Sequence, residues 1–186
     1  MKIKLLGSGD ELGVPAAGCS CDACQRAQHN NIFQRQPAAI KVTTGVSVTC
    51  IDTNLQQLNQ VVDRSACDQL FLTNYCNEHI KGLEQFNLPS SAVAPIPVYG
   101  PADNAHKKLF RRGNKAFALQ QPLLPFTTIN FDGLKLTPLP VHAKCPSFGY
   151  LLQHKKTHVA YLGDTCDLPE TTSALLYGYE LDLLII

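Results

Sequence analysis

The segment Leu72-Thr73-Asn74-Tyr75-Cys76-Asn77-Glu78-His79 decides both the fold and the site expected of this 186-residue chain. It continues from Asp68–Thr73, a short apolar run typical of a buried strand, and places polar side chains at alternate positions from Asn74 onward. A loop that follows a strand is able to direct several such groups to one point, as a metal site requires. A solvated loop after a buried strand explains the same pattern, so both interpretations stay open at this stage.

A second candidate site lies nearer the N-terminus, where Cys19, Cys21 and Cys24 form a C-x-C-x-x-C motif. Three thiolates at this spacing are able to converge on one tetrahedral Zn²⁺, which needs a fourth ligand. Three ordinary buried thiols are the alternative, although packing alone does not favour so close a spacing. The sequence therefore predicts a zinc-binding loop inserted at about residues 15–37.

Two other polar residues follow apolar runs and are candidates for chemistry. Asp164 comes directly after Thr157–Leu162 and Gly163, and His142 comes after Pro140-Val141. A carboxylate at a strand end bridges metal ions in some proteins, but more often it caps the next turn. His142 is equally compatible with a satisfied surface or core histidine.

The composition limits the class of protein. Hydrophobic residues make up 45% of the chain and charged residues 17%, which suits a folded domain with a buried core. A net charge of +1 excludes nucleic-acid binding through bulk electrostatics. No apolar run approaches the roughly 20 residues that span a membrane, and the N-terminal residues do not resemble a secretory signal. We therefore expect a cytoplasmic protein whose eight cysteines are thiols or metal ligands rather than a disulfide framework.

The strand and turn patterns predict a single α/β or α+β domain over residues 1–186. The predicted strands are Ile3–Leu6, Ala39–Val42 paired with Val46–Ile51, Asp68–Thr73, Thr127–Phe131 paired with Leu134–Leu139, Tyr150–Gln153 paired with Thr157–Leu162, and Leu181–Ile186. Predicted helices begin at Asn54, at Ala102 and near Pro169. The last strand is either central with its covering segment missing or paired inward, and we favour the first interpretation because bare apolar strand edges promote aggregation.

The order of these motifs resembles the metallo-β-lactamase superfamily. The resemblance is carried by Leu6-Gly7-Ser8-Gly9, Gly13-Val14-Pro15, the cysteine motif, Ile51-Asp52, Leu72-Thr73, His79-Ile80-Lys81-Gly82-Leu83, Pro97-Val98-Tyr99-Gly100-Pro101, Thr137-Pro138-Leu139-Pro140, Phe148-Gly149-Tyr150-Leu151-Leu152 and Gly163-Asp164-Thr165. Within the superfamily, the sequence is most similar to the phosphodiesterases that open phosphoribosyl 1,2-cyclic phosphate in phosphonate catabolism. The resemblance implies an αββα sandwich, C-terminally incomplete here, with a two-metal site at one edge of the sheets and a separate structural zinc at the three cysteines.

The same resemblance shows where this chain departs from the family. The family's His-x-His-x-Asp-His ligand motif falls on Asn74, Cys76, Glu78 and His79, so one of its three histidines is retained. Another ligand histidine falls on Ala143. The family's remaining ligand histidines belong to a segment C-terminal to the part of the fold that this sequence covers. The two-metal arrangement is therefore not expected here.

The residues that remain are expected to form at most a one-metal site. Glu78, His79 and Asp164 are the candidate catalytic residues, and together with Cys76 and His142 they are candidate ligands for Zn²⁺ or Mn²⁺. We expect a weak or inactive relative of the phosphodiesterases. The alternatives are an active hydrolase with a rebuilt one-metal site and a non-catalytic zinc-binding scaffold. An active form would take a small phosphate ester; a homodimer is compatible with the family, and no nucleic-acid or membrane partner is expected.

Overall fold

The computed structural model describes residues 1–45, 47–52, 67–76, 83, 94–103 and 116–186. In these residues the chain forms two β-sheets. The first sheet contains, in spatial order, β1 (Lys2–Gly7), β2 (Ala39–Thr44), β3 (Ser47–Ile51), β4 (Gln69–Phe71), β5 (Ile96–Tyr99) and β6 (Phe117–Leu119). Strands β1, β2 and β3 are antiparallel neighbours, whereas β3 to β6 run parallel to one another. The first sheet is therefore mixed.

The second sheet is mostly a meander. Its strands are β7 (Ile129–Phe131), β8 (Leu134–Val141), β9 (Ser147–His154), β10 (Thr157–Tyr161) and β11 (Leu183–Ile185), in the spatial order β11-β10-β9-β8-β7. Strands β7 to β10 pair antiparallel with their neighbours in the chain, and β11 runs parallel to β10. The β7–β8 turn suits Asp132 and Gly133 because both adopt the left-handed conformation, with φ of 49° and 85°.

Helical segments flank the sheets. Along the chain, helix α1 (Asp22–His29) and a 3₁₀ turn (Asn31–Phe33) connect β1 to β2, and helix α2 (Glu170–Tyr177) connects β10 to β11. Helix α2 begins directly after Pro169 and ends directly before Gly178, residue types that favour the start and the end of a helix. No helix in the described ranges is both long and apolar enough to cross a membrane.

The main core lies between the two sheets. Phe71 of β4 stacks on Tyr99 with ring centroids 4.9 Å apart, and it meets Phe131 and Tyr150 of the second sheet edge-on at 5.5 and 5.7 Å. The fully buried Tyr150 hydroxyl donates a hydrogen bond of 2.5 Å to the carbonyl oxygen of Leu72. These contacts fix the end of β4 against the second sheet, where the candidate site begins.

The outer face of each sheet is also covered. Leu70, Val98 and Leu83 belong to a buried cluster on the outer side of the first sheet. On the second sheet, the buried side chains of Leu139 and Leu151 pack with residues of α2 and of the segment that follows it. Burial on both faces of both sheets makes a layered sandwich, so the predicted α+β sandwich is confirmed.

The three predicted hairpins are confirmed, and so are the first strand, the strand before Asn74 and the helix near Pro169. Helix α1 and strands β5 and β6 were not predicted from the sequence. The helices predicted from Asn54 and from Ala102 lie largely or wholly outside the described residues. The last strand lies at the edge of its sheet among the described residues, with Leu183 and Leu184 about half exposed, and the expectation that its covering segment is missing stays a prediction.

Candidate functional site

Two groups of polar side chains are candidates for chemistry, and the cysteine cluster is the simpler of them. One sulfur atom from each of Cys19, Cys21 and Cys24 lies within 4.8 Å of the other two. No other group of three such ligand-bearing side chains is this close among the residues that the structure describes. The convergence predicted from the spacing is therefore present.

The local backbone explains why the three sulfurs meet. Cys21 is the residue that precedes helix α1, and its carbonyl oxygen accepts the Gln25 N–H at 2.9 Å. The first turn of the helix then returns Cys24 toward Cys21, and the buried Cys24 sulfur accepts the Ala16 N–H at 3.4 Å. The backbone N–H of Cys24, followed by the Cys19 side chain, lowers the pKa of the Cys21 thiol, because both stabilise its thiolate.

These residues fit a zinc ion. Zinc binds thiolate sulfur at about 2.3 Å, so sulfurs within 4.8 Å of one another are close enough to share one tetrahedral ion. The lowered pKa of Cys21 favours its charged ligand form. The pKa of Cys24 is raised, because the lowering by the Ala16 N–H is outweighed by burial and by the side chains of Cys19 and Cys21. Cys19, Cys21 and Cys24 would supply three ligands of a structural site.

The second group lies at the ends of β3, β4 and β10, which we call the strand-end cleft. The residue that positions this cleft is Asp52, which is 2% exposed and has a left-handed backbone conformation with φ of 47°. The Asp52 carboxylate accepts hydrogen bonds from the Thr73 N–H at 2.8 Å and from the Thr73 hydroxyl at 2.9 Å. This buried carboxylate ties the end of β3 to the segment after β4, and so positions Asn74.

Asn74 and Asp164 are in direct contact. The side-chain amide nitrogen of the fully buried Asn74 donates to Asp164 Oδ2 at 2.9 Å, and Asn74 Oδ1 accepts the Cys76 N–H at 2.9 Å. Asp164 itself is exposed and has a left-handed backbone with φ of 57°. Asn74, at a ligand position of the family motif, and the candidate ligand Asp164 are thus joined by an amide–carboxylate hydrogen bond.

Cys76 forms a disulfide with Cys145 of the β8–β9 loop, which lies 69 residues away in the sequence. The expectation that all eight cysteines are thiols or metal ligands is therefore wrong for this pair. The physical reason is tertiary: the loops after β4 and after β8 meet at the same edge of the sandwich. In this form the Cys76 sulfur is not a thiolate, and its predicted role as a ligand is confined to the reduced protein.

Cys76 and Asp164 line a cavity of about 390 Å³. The cavity is also lined by two exposed acidic residues of the loop after β1, Asp10 and Glu11, and by Lys144. Sequence reasoning did not select these three residues. The available signal was the Leu6-Gly7-Ser8-Gly9 turn, because residues that follow such a turn at a strand end face the same edge as the other strand-end loops.

His142, the remaining candidate among the described residues, does not line this cavity. The exposed His142 side chain approaches Asp167 at 3.9 Å, a solvent-accessible pair, while its backbone carbonyl accepts the Cys166 N–H at 2.9 Å. Glu78 and His79 lie outside the described residues, so their predicted catalytic and ligand roles stay predictions. The residues that are described in the cleft do not fit a two-metal site, because one candidate ligand is an amide that donates to the carboxylate and another is in a disulfide.

Comparison with solved structures identifies the class of this fold as the metallo-β-lactamase superfamily, as the sequence resemblance predicted. No protein-family model matches the sequence, and no curated protein does. The class therefore rests on the shared fold.

Three similar structures show how far the likeness extends. A diphosphatase of the PhnP family is 25% identical, with a TM-score of 0.79 over 98% of this chain and 72% of that one. Zinc-bound PqqB from Methylobacterium extorquens is 20% identical, with a TM-score of 0.75 over 99% of this chain and 69% of that one. The short form of human tRNase Z is 17% identical, with a TM-score of 0.69 over 99% of this chain and 76% of that one.

Proposed function

We propose that this chain is a weak or inactive relative of the metal-dependent phosphodiesterases that hydrolyse phosphoribosyl 1,2-cyclic phosphate. The observation that carries the proposal is the hydrogen bond from the Asn74 amide to Asp164 Oδ2 at 2.9 Å. This hydrogen bond from a neutral amide occupies an acceptor site on the Asp164 carboxylate that a bound cation would otherwise use. The disulfide at Cys76 removes a further ligand from the same cleft.

A phosphodiesterase of this class relies on metal ions to generate hydroxide and to stabilise the charge on the phosphoryl oxygens. In the described cleft, Asp164, Asp10 and Glu11 supply carboxylates near the cavity, and Lys144 supplies a cation able to attract a phosphate. Positioning alone does not replace the metal, since electrostatic stabilisation of the transition state is usually the largest contribution to catalysis. We therefore expect a low catalytic turnover rate from the residues present in this cleft.

The likeness to a PhnP-family diphosphatase supports phosphate esters or anhydrides as the substrate class for any residual activity. A small phosphate ester is therefore the proposed substrate, in a cytoplasmic protein. An active hydrolase that uses Glu78, His79 and Asp164 around one metal is the second candidate.

The test is an assay of the reduced and the oxidised chain with bis(p-nitrophenyl) phosphate, ribose cyclic phosphate and inorganic diphosphate, each with added Mn²⁺ or Zn²⁺. We expect turnover far below the enzyme median of about 10 s⁻¹. Asp164→Ala is the matched variant, because it distinguishes turnover by this cleft from contaminating activity. A rate near the median that Asp164→Ala abolishes would overturn the proposal and favour the one-metal hydrolase.

The third candidate, a non-catalytic zinc-binding scaffold, is favoured by the converged sulfurs of Cys19, Cys21 and Cys24. This role does not require any catalytic activity in the strand-end cleft. Zinc retention together with no turnover on any of the three substrates is the outcome that it requires.

A further inference from the structure

A buried hydroxyl group lies in the interior of the sandwich. Among the residues that the structure describes, the hydroxyl oxygen of Tyr161 is the buried side-chain polar atom that has no hydrogen-bond partner. Tyr161 ends β10, is 2% exposed, and packs in the core between the two sheets. Buried hydroxyls are nearly always hydrogen-bonded in folded proteins, and one that lacks a protein partner commonly binds an enclosed water.

Tyr150, which is opposite Tyr161 in the β9–β10 ladder, provides a comparison within the same core. The Tyr150 hydroxyl is also buried, but it donates a hydrogen bond to the carbonyl oxygen of Leu72, just after β4. Both tyrosines belong to one buried cluster, and both are almost fully shielded from solvent. The lack of a protein partner at Tyr161 is therefore not a result of exposure to bulk water.

The Tyr161 hydroxyl lies at the polar end of this core. A Cβ atom on Gly163 would lie 2.8 Å from the hydroxyl oxygen, so the hydroxyl lies against the backbone that immediately precedes Asp164. Burial, and then the negative charges of Asp52 and Asp164, raise the pKa of Tyr161 well above its usual value. The hydroxyl thus stays protonated near two carboxylates, and it is available as a hydrogen-bond donor.

We infer that an enclosed water molecule links the Tyr161 hydroxyl to the carboxylate of Asp52, and that Tyr161 is thereby a positioning residue for the strand-end cleft. The inference rests on the proposed function and deepens it, because it identifies what holds the loops of that cleft. It adds no metal ligand to the cleft.

The chemistry of the two groups suits a water molecule between them. A buried water needs two to four polar partners. The Tyr161 hydroxyl donates to the water, and the water donates to Asp52. A carboxylate has about four acceptor positions, more than the two that the N–H and hydroxyl groups of Thr73 use on Asp52.

This water supports both segments that form the cleft. Asp52 accepts hydrogen bonds from Thr73, the residue before Asn74, whereas Tyr161 lies three residues before Asp164. The 2.9 Å hydrogen bond from Asn74 to Asp164 therefore joins two segments that are both held from below. Tyr161 acts through the water and Asp52, so its role is positioning rather than contact with a ligand in the cleft.

The first measurement is a high-resolution crystal structure of the full 186-residue chain. We expect a water oxygen at hydrogen-bond distance, about 2.5–3.0 Å, from both the Tyr161 hydroxyl and an Asp52 carboxylate oxygen. A structure with no water at this position would overturn the inference.

The second measurement is the equilibrium constant of unfolding, obtained by urea titration of Tyr161→Phe. Loss of a hydroxyl that is hydrogen-bonded through water should raise this constant by about 3- to 10-fold, whereas loss of an unbonded buried hydroxyl should lower it. Tyr150→Phe loses a known hydrogen bond and should raise the constant to a similar extent. Tyr177→Phe is the control, because Tyr177 is 91% exposed, and should change the constant by less than about 2-fold. An unchanged or lowered constant for Tyr161→Phe would contradict the inference.

The link to Asp52 is tested by combining substitutions. In an Asp52→Ala background, Tyr161→Phe should lose most of its effect, because the two residues act through one water. The Thr73 amide, which donates to Asp52, should exchange with deuterium faster in Tyr161→Phe, relative to the amides of β8. An equal effect of Tyr161→Phe in both backgrounds, or a uniform change in exchange over all amides, would exclude the positioning role.

None of these readouts requires turnover. Their failure would overturn this inference and leave the catalytic proposal intact. Median-rate turnover by the unmodified chain would overturn the catalytic proposal and leave the water-mediated link in place.

Discussion

The cysteine cluster and the strand-end cleft obtain their residues from the chain in different ways. The cluster takes all three sulfurs from one short loop and the start of α1, and they face one another. The cleft combines Asn74, Cys145 and Asp164 from three separate loops, and its polar groups are bonded to one another. A ligand set from one loop needs only the conformation of that loop, whereas a set gathered from distant strands also needs each of those loops to meet at the same edge.

The largest expected effect is on metal binding by the cluster. Cys21→Ser removes one of three sulfur ligands and the residue that precedes α1, so zinc retained by the non-reduced chain should fall from about one equivalent to none. Elemental analysis after gel filtration measures it. Cys166→Ser serves as the control, and an unchanged zinc content in Cys21→Ser would show that the cluster is not a metal site.

The next largest effect is on the free energy of unfolding. It tests whether the hydrogen bonds of Asp52, rather than a bound metal, hold the strand-end cleft in place. Asp52→Ala removes the acceptor of two buried hydrogen bonds from Thr73 and places alanine at φ of 47°. The free energy of unfolding should fall by about 2–4 kcal/mol in a urea titration, with zinc content unchanged.

Asp132→Ala is the matched control for Asp52→Ala, because Asp132 has a similar φ of 49° in an exposed turn. It should cost about 1 kcal/mol, the backbone effect alone. Equal losses in the two variants would mean that the buried hydrogen bonds contribute nothing, and loss of zinc in Asp52→Ala would mean that the two regions are coupled.

The smallest effect concerns Tyr75, which lies between Asn74 and Cys76. Burial, and then the charge of Asp103, raise the pKa of Tyr75 from 10.0 to about 12. The folded state thus favours the neutral hydroxyl, and this stability is complete below about pH 10 and is lost as the pH rises through about 12.

Tyr75→Phe removes this dependence. Between pH 9 and 11 the unmodified chain should lose about 1 kcal/mol more unfolding free energy than the variant, measured by urea titration at each pH. Tyr177→Phe alters an exposed tyrosine and should leave the profile unchanged. Parallel profiles for Tyr75→Phe and the unmodified chain would mean that the segment after β4 is solvated, in agreement with the alternative left open by the sequence.

Local patterns predicted most of the second sheet. The turn at Asp132-Gly133 follows from residue types that tolerate the left-handed conformation. The turn after His154 was predicted from the two flanking strands, and there Lys155 adopts the left-handed conformation with φ of 58°. Strands β5 and β6 were missed because each is short and pairs in parallel with a distant strand, which leaves little periodic signal. Helix α1 was missed because its sequence is polar and its cysteines were interpreted as loop residues.

For the candidate site, the cysteine cluster was predictable because its spacing lies within one motif. The disulfide was not, since Cys76 and Cys145 are 69 residues apart and connectivity among eight cysteines cannot be read from sequence alone. The Asn74–Asp164 hydrogen bond was also not predicted. A substitution at a ligand position shows in the sequence that a metal ligand is lost. The residue that the new side chain contacts depends on which loops meet in the fold, and the sequence does not show that.

The unequal connectivity of the two sheets has a consequence for the order in which the chain folds. Strands β7 to β10 each pair with the next strand in the chain, so their contacts close short loops, whereas β3 to β6 pair in parallel across long connections. Loop-closure entropy favours the meander as the early-forming unit, on which Phe71 and the rest of β4 later dock. In pulse-labelled hydrogen exchange, amides of β8 and β9 should gain protection before those of β4 and β5, and the reverse order would contradict this sequence of events.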